Sequence, residues 1–262
     1  MTRTILITGG GSGIGRATAS EAARRGWAVG ILDRDGESAE RAAAEARRNG
    51  ARSVWSAASD VTDERELVDT FDAASTALGP VDGVTVSAGI EINAPLPHMP
   101  LETWRRVLDV NLTGTFLTVR TAARALRDAG RPGSIVCVSS PSAFVGFAGG
   151  SNSAYGASKG GVSAFVRAAA IDLAADGIRV NALVPGATDT PMLYFGLDGA
   201  ELEAERARLR DAAARQIPLR RMADPAEIAR AAVWLLSDEA SYVTGSHLVC
   251  DGGLTAKSAN DF

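Results

Sequence analysis

Tyr155 and Lys159 stand four residues apart, and a hydroxyl-rich run, Ser139 to Ser142, lies upstream of them. On a helix, such a pair shares one face. A cation beside a phenol favours phenolate and draws its pKa down from about 10. A phenol tuned in this way can give or take a proton at a reacting oxygen. A serine hydroxyl beside it can hold a carbonyl or an alcohol. The chain has only two lysines, Lys159 and Lys257, and uses arginine for nearly every other positive charge. An ammonium is a compact charge whose pKa moves on burial. Taken alone, the pair also fits a solvated helix face, so its meaning depends on its surroundings.

A second cluster lies near the start. Gly9, Gly10, Gly11, Ser12, Gly13, Ile14 and Gly15 follow a short apolar run and precede an Ala-rich helical stretch. Glycines permit positive φ and close approach of backbone to a ligand. A helix N-terminus offers free N–H groups to a pyrophosphate. The spacing is G-x-x-x-G-x-G, and Arg16-Ala17 stands where a triphosphate-binding loop needs Lys and a hydroxyl. A tight chain reversal would use the same glycines. Asp33 adds weight to the ligand reading, since it ends the second predicted strand, eighteen residues after Gly15. A carboxylate there accepts hydrogen bonds from an adenosine ribose and repels a 2′-phosphate. The expected ligand is a dinucleotide, NAD in preference to NADP, with Arg34 leaving NADP open.

Strands are predicted at 4–8, 29–32, 53–57, 83–86, 134–139, 178–184 and 247–250. Helices are predicted at 13–25, 38–49, 64–78, 101–128, 155–175 and 225–237, with Thr62 as the cap of the third. Strict alternation implies an α/β fold: a Rossmann-type doubly wound parallel sheet with helices on both faces. No linker divides it, so 1–262 reads as a single domain. One insertion, at about 187–223, breaks the alternation and carries a charged helical stretch at 200–215. Ligands of such sheets sit beyond the carboxyl ends of the strands, which makes the insertion a candidate substrate lid. Leu193, Tyr194 and Phe195 open it and offer an apolar wall. Glu91 and Asn93 offer polar contacts, or simply solvate a loop.

Composition bounds the function. The net charge of −4 over 262 residues gives no basic field for nucleic acid. Cys137 and Cys250 sit in apolar runs without metal-ligand spacing, and His98 and His247 are isolated, so no metal site is expected. No apolar run reaches membrane-spanning length and the N-terminus lacks a leader-like segment. The expectation is a cytoplasmic protein acting on a small molecule.

These pieces resemble the classical short-chain dehydrogenases/reductases over essentially the whole chain. The resemblance rests on T-G-G-G-S-G-I-G at 8–15, Asp60-Val61, Ala88-Gly89, Asn111, the Ser140 region, Tyr155 with Lys159, Pro185-Gly186 with Thr190-Pro191-Met192, and the closing Asp251-Gly252-Gly253. It implies that Tyr155 is the acid/base and that Lys159 holds the nicotinamide ribose and tunes the phenol. It further implies that a serine orients the substrate oxygen and that Asn111 holds a water relaying protons to Lys159. Asp60 and Val61 would contact adenine, Ser87, Ala88 and Gly89 would line the cofactor ribose, and Pro185, Gly186, Thr188 and Thr190 would line the nicotinamide. The family's tetramer, formed through the helices containing Asn111 and Tyr155, implies a homotetramer.

Two departures stand out. Val86-Ser87-Ala88-Gly89 replaces the family's Asn-Asn-Ala-Gly. Ser142 lies thirteen residues before Tyr155, the family's usual count, whereas Ser140 lies fifteen before. Ser140 is nevertheless preferred, because Pro141 biases it toward extended backbone and Gly149-Gly150-Ser151-Asn152 absorbs the surplus. The activity implied is NAD(H)-linked interconversion of a secondary alcohol and a ketone. The alternatives are a dehydratase or epimerase on the same fold, or a protein that senses NAD(H) without turnover. Loss of the proton-transfer set would favour either, and the set is intact.

Overall fold

The computed structural model describes residues 3–257. Seven strands form one wholly parallel sheet: β1 (Thr4–Thr8), β2 (Ala28–Asp33), β3 (Ser53–Ala58), β4 (Gly83–Val86), β5 (Gly133–Val138), β6 (Ile178–Pro185) and β7 (His247–Cys250). Their spatial order is β3-β2-β1-β4-β5-β6-β7. The helices are α1 (Gly13–Arg24), α2 (Gly36–Arg48), α3 (Glu64–Leu78), α4 (Leu101–Leu108), α5 (Gly114–Asp128), α6 (Ser153–Leu173), α7 (Gly199–Gln216) and α8 (Pro225–Leu236).

The pleat of the strands divides the core in two. On β1, Ile5 and Ile7 face α1, α2 and α8, while Leu6 faces α3, α5 and α6. Burial on both faces explains why β1 reads as a continuous apolar run rather than an alternating one. The edge strands β3 and β7 are only partly buried.

Local chemistry sets the helix starts. Asp35 caps α2 by accepting from the N–H groups of Glu37 and Ser38. Asp63, not Thr62, caps α3; the Thr62 hydroxyl is drawn to the Asp60 carboxylate instead, at 2.7 Å. Asp224 and Glu227 form a capping box at α8, with Pro225 in its first turn. The helix predicted at 101–128 is interrupted by a π-helical segment, Asp109–Thr113. Such segments gather at functional sites, and this one carries Asn111. The insertion is pinched at its base, where Ala223 N–H donates to Ala187 carbonyl and Asp189 N–H to Ala223 carbonyl.

Candidate active site

Sheet order reverses between β1 and β4, and there, at the carboxyl ends of the strands, a cavity of about 490 Å³ opens. One end is made by the glycine turn. Gly9 has φ +65, and a Cβ on it would come within 2.6 Å of the Ala88 backbone. A Cβ on Gly15 would lie 2.2 Å from the Gly9 carbonyl oxygen. The turn therefore packs directly on Ser87-Ala88-Gly89, and side chains at those two positions would force it apart.

Ser12 precedes α1 without capping it through its side chain, so the first N–H groups of α1 are open toward the cavity. Asp33 lines the same end. Its carboxylate accepts from Gly11 N–H at 2.9 Å and Asp35 N–H at 3.0 Å, which fixes its direction and leaves lone pairs for a ligand hydroxyl. Gly13, Ile14, Asp60, Val61 and Arg34 complete this end. Burial works to raise the Asp60 carboxyl, but hydrogen bonds from Thr62 outweigh it and hold the group below its usual range.

The other end carries the tyrosine-lysine pair. Tyr155 and Lys159 project from the first turns of α6. Lys159 is buried, and its Nζ donates to the Val138 carbonyl at 2.8 Å and lies 5.6 Å from the Tyr155 ring centroid. Burial lowers the Lys159 ammonium to about 8. The Tyr155 phenol is pushed above its ordinary value, first by burial and then by the negative charge of Glu91; the Ser140 hydroxyl pulls the other way. The sequence expectation that Lys159 draws the phenol down is therefore not met here. Burial dominates, and Lys159 directs a donor to Val138 rather than to the phenol.

Ser140 adopts the extended backbone expected before proline, φ −162 and ψ 155. Its hydroxyl accepts from Ser142 N–H at 3.2 Å. Ser142 also lines the cavity, 3.3 Å from Ser140 Oγ, and faces Asn152 at 3.5 Å. Pro185, Gly186, Thr188 and Thr190 line the stretch between the two ends.

Two expected site residues lie behind the wall. Gly15 sits beneath the turn. Asn111 is fully buried, and its side chain is spent on three hydrogen bonds: from Ile90 N–H at 2.8 Å, to Ile90 carbonyl at 2.9 Å and to Ser158 Oγ at 3.0 Å. It acts on the cavity by gripping the segment after β4. The expected apolar wall is also redrawn. Leu193 and Met192 face the cavity, but Tyr194 turns its hydroxyl to Asp189 at 2.8 Å and Phe195 is 94% exposed. Glu91 lines the cavity, whereas Asn93 is exposed.

Several wall residues escaped sequence reasoning. Ser59 is buried with no hydrogen-bond partner for its hydroxyl among the described residues, and it faces the end that holds Asp33. Leu209, Ala213 and Gln216 from α7, with Ile217 and Leu254, close the opposite end. Asp251 folds the final segment into place, accepting from Gly253 N–H, Thr255 N–H and the Thr255 hydroxyl. Among the described residues no group of three His, Cys, Asp or Glu side chains could hold a metal ion, and no helix is long and apolar enough to cross a membrane. Both cysteines are free.

A doubly wound sheet with a glycine turn, an acid ending β2 and a Ser-Tyr-Lys set at the strand ends defines a short-chain oxidoreductase. A family model described as enoyl-(acyl carrier protein) reductase matches residues 9–255. The cis-4-hydroxycyclohexanecarboxylate dehydrogenase of Sinomonas cyclohexanicum is 44% identical over 97% of both chains. The cyclopentanol dehydrogenase of Comamonas testosteroni is 37% identical over 97% of both. The crystal structure of levodione reductase superimposes with a TM-score of 0.90 at 33% identity, covering 98% of each chain. The chain belongs to the classical short-chain dehydrogenase/reductase family.

Proposed function

We propose that this chain is an NAD-dependent dehydrogenase that interconverts an alicyclic secondary alcohol and its ketone. The observation that carries the reading is one continuous cavity with Ser140 and Tyr155 at one end and the glycine turn with Asp33 at the other. The relatives named for a hydroxycyclohexanecarboxylate and for cyclopentanol support a ring alcohol, as does the apolar facing of Met192, Leu193 and Ile217.

The residues present fit NAD. The α1 N-terminus would take the pyrophosphate, Asp33 the adenosine ribose, and Asp60, Val61 and the orphaned Ser59 hydroxyl the adenine surroundings. Ser87, Ala88, Gly89, Tyr155 and Lys159 would border the second ribose. Pro185, Gly186, Thr188 and Thr190 would flank the nicotinamide, which when bound supplies the hydride acceptor or donor. Ser140 holds the substrate oxygen by a hydrogen bond. Tyr155 gives a proton to that oxygen in reduction and takes it in oxidation. Because burial and Glu91 raise the phenol, Tyr155 is protonated at neutral pH and ready to donate. Oxidation needs the phenolate and gains rate as pH rises.

Asn111 holds the backbone of this site through Ile90. The insertion, about 187–223, acts as a lid through α7. The family's homotetramer would cover Phe116 on α5 and Ile171 on α6, which are 40% and 78% exposed.

The test is NADH formation, followed at 340 nm with cyclohexanol and cyclopentanol, in wild type and Tyr155→Phe. Wild type should turn over faster at alkaline than at neutral pH. Tyr155→Phe should bind NAD and lose turnover by about 10²-fold to 10⁴-fold. Near-normal turnover in that variant, or none in wild type with either NAD or NADP, overturns the reading.

A further inference from the structure

Glu91 is an ionisable group of the cavity that the proton transfer does not use. It borders the same space as Tyr155, Ser140 and Asn152 and is half-buried. Among the described residues its carboxylate has neither a hydrogen-bond nor an ion-pair partner. Glu227, on the surface, is by contrast held by both terminal guanidinium nitrogens of Arg221.

The backbone that carries Glu91 is fixed on both sides. Upstream, the Asn111 side chain grips both the N–H and the carbonyl of Ile90. Downstream, Ala94 N–H donates to the Ser151 carbonyl at 2.8 Å, tying the loop to the segment that enters α6. These bonds fix the backbone from which Glu91 enters the cavity. Its charge reaches the reacting groups: it adds to the burial that raises Tyr155 and opposes the burial that lowers Lys159. Neither cation lining the cavity pairs with it among the described residues: Lys159 feels its charge but donates to Val138, and Arg34 stands just past β2, at the Asp33 end.

We infer that Glu91 sets the substrate class, accepting a hydrogen bond from a second hydroxyl on the ring and repelling substrates that carry an anionic group there. The inference rests on the dehydrogenase reading and narrows it to neutral cyclic diols and hydroxyketones. A substrate that displaces water from Glu91 strips solvation from an unpaired carboxylate. A hydroxyl donor replaces that solvation with a charge-assisted hydrogen bond. A substrate carboxylate instead meets like charge where water no longer screens it. Selection thus works by attraction and by repulsion together.

The test compares wild type with Glu91→Gln, which keeps size and shape. Turnover is measured with cyclohexanol, cyclohexane-1,4-diol, 4-hydroxycyclohexanecarboxylate and its carboxamide. Calorimetry with NADH present gives Kd for cyclohexanecarboxylate and cyclohexanecarboxamide. Ratios between substrates within one protein cancel any common effect through Tyr155. Wild type should favour carboxamide over carboxylate by about tenfold to hundredfold. Glu91→Gln should cut that ratio at least about tenfold and cut the diol-to-cyclohexanol ratio severalfold. Equal ratios in the two proteins overturn the inference and leave the dehydrogenase reading standing if wild type turns over. A change in the Kd ratio without turnover of any alcohol upholds Glu91 and overturns the dehydrogenase reading. Absence of any carboxamide preference in wild type, by either measure, also overturns the inference.

Discussion

Asn111→Ala separates a structural role for this residue from a chemical one. The side chain has zero exposure and makes three hydrogen bonds, two of them to the backbone of Ile90. Removing it strands the Ile90 N–H, the Ile90 carbonyl and one lone pair of Ser158. A stranded buried polar group costs about 1–3 kcal/mol. Ile90 is half-buried, so its groups recover some hydration as the loop loosens. The expected loss of stability is therefore about 2–4 kcal/mol, at or just below the low end of the roughly 3–9 kcal/mol simple sum. Urea unfolding followed by circular dichroism reads this directly. With a slope of about 2–3 kcal/mol per molar, the midpoint should fall by roughly 1 M. Activity should fall as well, because the gripped segment carries Glu91 and closes over Lys159. A stability change below about 1 kcal/mol would refute the clamp. If turnover alone collapsed, the residue would act in proton relay rather than in holding the chain.

Three further outcomes are expected. Asp33→Ala should lower the ratio of kcat/KM for NAD over NADP by about tenfold or more, through loss of the repulsion on a 2′-phosphate; an unchanged ratio, or an NADP preference in wild type, would remove Asp33 as the selector. Ser140→Ala should lower kcat by on the order of 10²-fold, as expected for one aimed donor, and more than Ser142→Ala; the reverse order would pass the role to Ser142. In α7 only Ala213 is buried, so its amides should exchange rapidly with solvent and slow when NAD and a ring ketone are both bound; slow exchange throughout in the protein alone would exclude a lid.

The strands and the glycine turn were legible because they follow from short-range rules. Continuous apolar runs mark buried parallel strands, and clustered glycines mark a turn where backbone meets backbone. Asp33, Ser140 and the Tyr155-Lys159 pair could be placed for the same reason, since each sits at a strand end or on one helical face. What sequence could not supply was competition. Thr62 looks like a cap until the neighbouring Asp60 carboxylate claims its hydroxyl. The Tyr155 phenol looks as if Lys159 should lower it, until burial and Glu91 are weighed against a cation turned toward Val138. Tyr194 and Phe195 follow Leu193 directly, yet the 3₁₀ turn at Pro191–Tyr194 sends the three side chains in different directions. Ser59, Ile217 and Leu254 carry no local signature; they reach the cavity only because distant segments fold over it.

The scarcity of lysine has a practical consequence. Lys257 is exposed near the end of the chain, whereas Lys159 is buried beside Tyr155. Reductive dimethylation with isotopically labelled formaldehyde would place a spectroscopic tag on two side-chain amines and no others. Lys257 would react at once and serve as an internal reference. The Lys159 signal would emerge only as the cavity admits reagent and the ammonium sheds its proton, near pH about 8. Its chemical shift would then follow the charge of the site directly, in a spectrum that otherwise holds only Lys257 and the α-amino group.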